Sequence, residues 1–233
     1  MQKKNNRLNI EQIITDSLKK QVEQQKEFHL FDRLFYIHDL FIFPIDVQAV
    51  VDDIETIIPL HLFDEVDEII VGDFDFLRDS GREAEFKEGA IYITNQIGSE
   101  KDLVENILHE LSHSIEGKHG YFIYGDMTLR SEFLGKRNRL KNILEANDWD
   151  TTGLNFSETE YNEEFDSFLY EEVGYIELGA LSMGLYVSPY AITSLREYWA
   201  VGFEDYFIGD REYTQKISPQ LFSKIEGVLS YED

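Results

Sequence analysis

Residues 99–118 read SEKDLVENILHELSHSIEGK and predict an amphipathic helix. Ser99 followed by Asp102 is a helix-start signal, because a serine side chain at a helix N-cap accepts a hydrogen bond from a backbone N–H of the first turn. Gly117 is the predicted end, since glycine is favoured just past a helix C-terminus. Apolar residues recur between them at helical spacing and predict one buried stripe: Leu103, Val104, Ile107, Leu108, Leu111 and Ile115.

Two histidines of this predicted helix stand at positions i and i+4. His109 and His113 would therefore lie one turn apart on one side, where both imidazoles can reach one metal ion. On a helical wheel they fall opposite the apolar stripe, so they are expected to face a cleft. Glu110 is placed to take a proton from a water that the metal activates. HExxH with these roles is the zinc-peptidase signature and predicts Zn²⁺ as the cofactor. The alternative is an ordinary amphipathic helix with two solvated or core-satisfied histidines.

A short β-rich run, residues 90–94, directly precedes the predicted helix. In zincins, the peptidases that carry this motif, the edge strand of the sheet runs along the cleft and pairs with an extended substrate. The sequence therefore predicts that Ala90, Ile91 and Tyr92 bind a peptide or protein substrate. The alternative is a core strand that does not contact substrate.

Spacing alone does not identify the third zinc ligand, because HExxH supplies two of the three protein ligands that a catalytic zinc ion usually keeps. His119 has the spacing of the longer HExxHxxGxxH pattern, but Glu116 holds the place of the glycine that permits the turn. Glu197 and Glu204 project from a predicted helix, opposite its aromatic stripe. Residues 158–172 form a second acidic stretch. The residue pattern leaves these candidates open.

A second motif resembles a known family. Tyr190, followed seven residues later by Glu197-Tyr198-Trp199-Ala200-Val201-Gly202-Phe203, is similar to the C-terminal signature of the anthrax lethal-factor-like metallopeptidases, which include the Pro-Pro endopeptidases. The resemblance implies that Glu197 is the third zinc ligand. It also implies that Tyr190 donates its hydroxyl to the oxyanion of the tetrahedral intermediate.

This resemblance covers the HExxH helix and the C-terminal part of the chain, including residues 217–222, which are similar to the family's closing segment. Family members often carry a Glu four residues after the ligand, where this chain has Val201. The interval from His113 to Glu197 is also longer than in compact members, which implies inserted helices near residues 130–185. More loosely, the whole chain resembles small metallopeptidases encoded by large tailed phages.

The predicted fold class is α+β and zincin-like: a small mixed sheet with its edge strand over the HExxH helix, then a mainly helical C-terminal lobe. Residues 1–28 are predicted to form a peripheral helix. Residues 29–233 are predicted to form a single catalytic domain, with an upper lobe over 29–117 and a helical lower lobe over 118–233.

Local patterns predict the remaining elements. Residues 45–58 are a predicted helix that ends before Pro59, and residues 66–71 are a predicted strand. Residues 72–88 are charged and polar and predict a loop. Residues 131–147 predict another helix, and two or more helices are expected after residue 157.

Composition limits the classes of partner. The chain has 233 residues, of which 42% are hydrophobic and 14% aromatic, which is typical of a globular protein. Its net charge of −25 disfavours nucleic acid and anionic membranes as partners. Without cysteine, an apolar run of transmembrane length or a signal peptide, a cytoplasmic protein is expected.

The leading interpretation is a zinc endopeptidase. The alternatives are a non-catalytic metal-binding interaction protein and an acidic decoy that mimics nucleic acid.

Overall fold

Residues 26–231 are described by a computed structural model, and within them five strands form one mixed sheet. The strands are β1 (Glu27–Leu30), β2 (Arg33–Ile37), β3 (Glu68–Gly72), β4 (Ala84–Lys87) and β5 (Ala90–Thr94). Their order across the sheet is β1-β2-β3-β5-β4. The inner strands β2, β3 and β5 are parallel, and β1 and β4 pair antiparallel at the two edges.

The same residues form nine α-helices, so the predicted α+β class is confirmed. The helices are α1 (Val47–Ile57), α2 (Asp75–Ser80), α3 (Glu100–Tyr124), α4 (Thr128–Ala146), α5 (Glu163–Ser167), α6 (Tyr175–Leu181), α7 (Leu195–Ile208), α8 (Arg211–Ile217) and α9 (Pro219–Leu229). Short 3₁₀ turns lie at Leu60–Phe63 and Pro189–Ile192, and a π-helical turn lies at Phe168–Val173. The helices predicted at 45–58, at 131–147 and after residue 157 are present.

One face of the sheet forms the core, because successive strand side chains alternate between the two faces. The large buried side chains of the inner strands lie on this face, at every second position: Phe35, Ile37, Ile69, Val71, Ile91 and Ile93. Helix α1 packs on β1 and α3, and α3 packs on β4 and β5. The predicted inward face of α1 is confirmed, with Val47, Val50, Val51 and Ile54 buried.

The prediction for the edge of the sheet was wrong. Strand β5 pairs with β3 on one side and β4 on the other, so Ala90, Ile91 and Tyr92 lie inside the sheet. The edge belongs to β4, within residues 72–88, which were predicted as a loop. The sequence of β4, Ala-Glu-Phe-Lys, is short and charged, as is typical of edge strands, and for that reason it resembles a loop.

Helix α3 begins as predicted but extends further than predicted. The Ser99 side chain accepts a hydrogen bond from the backbone N–H of Asp102 at 3.2 Å. Gly117 lies inside the helix, which continues to Tyr124 and has Gly125 as its C-cap. The predicted boundary between two lobes at residues 117 and 118 therefore lies in the middle of one continuous helix.

The N-terminal prediction is largely outside the described residues. Residues 1–25 of the predicted peripheral helix lie outside them, and Glu27 and Phe28 belong to strand β1. Within residues 26–231, no helix has the length and apolar character that crossing a membrane requires.

Candidate metal centre

Three side chains predicted to bind zinc lie together between α3 and α7. Within the described part of the chain, His109, His113 and Glu197 form a group whose ligand atoms all lie within 4.8 Å of one another. The Nε2 atom of His109 lies 3.0 Å from Oε2 of Glu197, and Nε2 of His113 lies 3.8 Å from Oε1. Both imidazoles therefore direct the same nitrogen toward one carboxylate.

Local contacts hold Glu197 in this position. Ser194 caps α7, and its hydroxyl accepts a hydrogen bond from the backbone N–H of Glu197 at 3.1 Å. Trp199, two residues further, is fully buried and donates its indole N–H to the carbonyl of Ser112 on α3 at 3.1 Å. This bond fixes α7 against the helix that carries both histidines.

The segment before α7 is held by a buried arginine. Arg137 on α4 is 1% exposed and donates to the carbonyl oxygens of Ile192, Thr193 and Glu158 at 2.6 to 3.0 Å. Since Ile192 ends the 3₁₀ turn that carries Tyr190 and Thr193 follows it, Arg137 holds the end of this turn and joins it to the segment at Glu158.

Glu110 lies next to the edge strand. Its side chain is 8% exposed, and its Oε2 atom accepts a hydrogen bond from the backbone N–H of Phe86 on β4 at 2.7 Å. The predicted general base is therefore fixed through one carboxylate oxygen, beside the strand that forms one wall of the cleft.

Tyr190 also lies at the centre, with its ring 5.9 Å from the ring of His109. Desolvation and the nearby charge of Glu197 raise the pKa of the tyrosine hydroxyl. The hydroxyl therefore stays protonated at neutral pH and is able to donate a hydrogen bond.

The charge balance of the group favours a cation. Burial disfavours a charged imidazole at His109, but Glu197 and Glu204 outweigh burial and raise the pKa of His109 to about 10. Burial raises the pKa of Glu197, whereas His109, His113 and Arg196 lower it, and the net direction is down. A positive charge is thus stabilised between these residues.

A buried oxygen provides a test of whether a metal ion fits. The Oε2 atom of Glu197 is buried, and none of the described residues gives it a hydrogen bond of adequate geometry, although His109 Nε2 is only 3.0 Å away. A buried acceptor without a partner is costly. Two imidazole nitrogens and one carboxylate oxygen are a ligand set that catalytic zinc sites use. The residues present therefore fit a zinc ion.

Two further carboxylates face the opposite sides of the histidines. Glu116 Oε1 lies 3.4 Å from Nδ1 of His113, and Glu204 Oε2 lies 3.7 Å from Nδ1 of His109. Burial opposes ionisation of Glu116, but His113, Arg196 and Tyr124 lower its pKa overall, so it is charged at neutral pH.

An open cleft of about 1010 Å³ lies in front of the centre. Its walls include Ala84, Glu85 and Phe86 of β4, whereas Ala90, Ile91 and Tyr92 are not among the described residues that line it. The free edge that was predicted at these three residues is not present in the described sheet, because β4 pairs with β5 there.

His119 does not join the candidate ligands among the described residues. It lies within the extended α3, is 8% exposed, and its ring packs 5.1 Å from the ring of Tyr231. Because the helix does not turn at residue 117, His119 stays on another side of α3, and the structure gives no support to it as the third ligand.

Several contacts of the site were missed from the sequence. The i, i+3 spacing of His113 and Glu116 on one helix was a usable signal for their contact. Ser194, three residues before Glu197, was a usable N-cap signal. The contact of Glu110 with Phe86 had no local signal, because it depends on the order of the strands.

Comparisons with protein-family models, with curated proteins and with solved structures found no match for this chain. The resemblance to the lethal-factor-like metallopeptidases therefore stays a prediction that rests on the HExxH helix and the segment from Tyr190 to Phe203.

Proposed function

We propose that this chain is a zinc-dependent endopeptidase. The observation that carries the proposal is the convergence of His109, His113 and Glu197 within 4.8 Å, with Glu110 beside them at an open cleft. A metal site that only stabilises a fold is usually closed by four ligands and needs no adjacent base. Three ligands in a cleft next to a buried glutamate are typical of hydrolytic zinc sites.

In this proposal His109, His113 and Glu197 hold the zinc ion. When bound, zinc supplies Lewis acidity, which makes water nucleophilic near neutral pH and polarises a substrate carbonyl. The remaining chemistry is assigned to residues of the chain itself.

Glu110 is the proposed general base and acid. It accepts a proton from the attacking water and then delivers that proton to the amine that leaves when the peptide bond breaks. Its hydrogen bond to Phe86 N–H holds the carboxylate at the base of the cleft during both transfers. General acid–base catalysis of this kind contributes about 10²- to 10⁴-fold to a rate.

Tyr190 is the proposed oxyanion donor. Its hydroxyl stays protonated because desolvation and the charge of Glu197 raise its pKa, so it can donate to the oxygen that becomes negative during attack. The 3₁₀ turn, capped by the Ser188 side chain, keeps the Tyr190 ring 5.9 Å from the ring of His109.

Strand β4 is the proposed place for the substrate backbone. Its outer side has no neighbouring strand in the described sheet and lines the cleft, and of its outward backbone groups Phe86 N–H is already donated to Glu110. An extended peptide could pair with such an edge. The role that the sequence assigned to residues 90–94 is therefore reassigned to residues 84–87.

The test combines zinc content with cleavage. We expect about one zinc ion per chain by elemental analysis, and cleavage of members of a random peptide library that stops with a chelator and returns with added zinc. Glu110→Gln is the matched variant. It should keep its zinc and lose about 10²- to 10⁴-fold in kcat.

Three results would count against the proposal. Unchanged cleavage by Glu110→Gln would remove the assigned base, and cleavage that resists the chelator would remove the metal. Zinc binding without cleavage of any library peptide would instead favour a non-catalytic metal-binding interaction protein.

A further inference from the structure

We infer that Glu116 is a positioning residue for the metal centre, which orients His113 so that its Nε2 faces the metal position. The inference rests on the proposed zinc site. The two nitrogens of the His113 ring face two different carboxylates: Nδ1 lies 3.4 Å from Glu116 Oε1, and Nε2 lies 3.8 Å from Glu197 Oε1. An acceptor at Nδ1 selects the tautomer that carries its proton there and leaves the Nε2 lone pair for a metal.

Glu116 is itself held from two directions. Tyr124 donates its hydroxyl to Oε1 at 2.8 Å, and Arg196 donates its Nε–H to Oε2 at 2.6 Å. The Glu116 side chain is only 12% exposed, so these donors compensate for its loss of contact with water. A carboxylate fixed through both oxygens is a rigid acceptor for an imidazole.

The chain positions this carboxylate by simple helix geometry. Glu116 lies three residues after His113 on α3, so the two side chains are neighbours across one turn. A glycine at position 116, as in the longer three-histidine motif, would supply no acceptor here. The glutamate continues the helix and also contacts the second histidine.

His109 provides an internal comparison. Its Nδ1 faces Glu204, but at 3.7 Å, which is too long for a hydrogen bond. Glu204 reaches His109 from α7, whereas Glu116 shares a helix with His113. We therefore expect loss of Glu116 to affect the metal centre more than loss of Glu204.

A purely structural role for Glu116 makes a different prediction. If Glu116 served only to join α3 to α7 through its ion pair with Arg196, then Arg196→Ala and Glu116→Ala would weaken zinc binding equally. If Glu116 orients His113, Arg196→Ala has the smaller effect, because Tyr124 still holds the carboxylate.

The experiment measures zinc affinity of the full chain by competition with a chromophoric chelator. We expect Glu116→Ala to lose about 10- to 100-fold in affinity, as is usual when the carboxylate partner of a metal-binding histidine is removed. Glu116→Gln should lose less, because its amide oxygen can still accept from Nδ1–H. Arg196→Ala should lose less than Glu116→Ala.

A second readout is the ring Nδ1–H of His113 in the zinc-loaded protein, observed by NMR. Its exchange with solvent should be slow in the wild type and in Glu116→Gln, and faster in Glu116→Ala. Melting temperatures of the zinc-free variants verify that each is folded.

Equal losses of affinity in Glu116→Ala and Arg196→Ala, or an unchanged affinity in Glu116→Ala, would overturn the inference while leaving the peptidase proposal intact. A wild type that binds zinc with this dependence on Glu116 but cleaves no peptide would support the positioning role and contradict the peptidase. A wild type without zinc affinity would overturn both.

Discussion

Helices α3 and α7 contribute to the same centre by different routes. Helix α3 supplies His109, Glu110 and His113, which all lie within one stretch of five residues. Their relative placement therefore follows from the helical repeat alone. Helix α7 supplies Glu197 from a distant part of the chain, and its placement depends on packing, through Trp199 above all. A local motif thus defines two proposed ligands and a proposed base, whereas the third proposed ligand reaches them only in the folded protein.

Substitution of Glu197, the third proposed ligand, gives the strongest test of this difference between α3 and α7. We expect Glu197→Ala to lose zinc affinity by more than the roughly 10- to 100-fold that is typical for a residue acting behind a ligand. Glu204→Ala is the matched control on the same helix, and it should lose less than Glu116→Ala, because its carboxylate lies 3.7 Å from His109 Nδ1. Zinc affinity measured by chelator competition gives both values. Equal losses in the two variants would show that α7 does not supply its ligand through Glu197.

Tyr190→Phe separates catalysis from metal binding in the same C-terminal segment. The substitution keeps the ring beside His109 and removes the hydroxyl, so zinc content should not change. If the hydroxyl donates to the oxyanion, kcat should fall by about 10²- to 10³-fold with little change in KM. Steady-state kinetics on a library-derived peptide measure both constants. A kcat close to that of the wild type would remove Tyr190 from the mechanism.

The pH dependence of the zinc-free protein tests the charge balance between the helices. The folded-state pKa of His109, about 10, lies above its ordinary value of 6.5. Its protonation therefore stabilises the folded state fully below pH 6.5, and this stabilisation is lost as the pH rises toward 10.

Zinc must replace that proton, so zinc affinity should rise with pH across the same window, by up to about tenfold per pH unit for each proton released. Melting temperatures of the zinc-free protein and chelator competition at several pH values measure the two effects. Glu197→Gln should weaken the pH dependence of both the melting temperature and the zinc affinity. A zinc-free protein that becomes more stable between pH 6.5 and 10 would contradict this assignment.

Two glycines give the smallest expected effects and contrast the two helices directly. A Cβ at Gly202 of α7 would lie 2.1 Å from Cδ2 of the buried Leu221, so Gly202→Ala should destabilise the protein by about 1–3 kcal/mol through overpacking. A Cβ at Gly117 of α3 meets none of the described atoms within 4 Å, so Gly117→Ala should stabilise by about 0.5–1 kcal/mol. Chemical denaturation measures both. Destabilisation by Gly117→Ala would indicate that this residue is needed as a glycine after all.

The sequence predicted where α3 begins, but it predicted neither where α3 ends nor that β4 is a strand. The start of α3 was predicted because the Ser99 cap is local, but its end was not. Gly117 matches the helix-stop pattern, yet the helix continues past it to Tyr124, with His119 and Ile123 buried in that extension. Strand β4 was missed because its charged sequence is equally compatible with a loop, and only pairing with β5 makes it a strand.

By itself the sequence determined the α+β class, the helix with His109, Glu110 and His113, and the inward face of α1, because each depends on the spacing of neighbouring residues. Resemblance to a family, rather than spacing, selected Glu197. Only the tertiary structure decided that β4 forms the edge, that Glu197 reaches the histidines, and that Glu116 faces His113 while held by Arg196. Strand order and helix packing join residues far apart in the chain, and no local pattern records those distances.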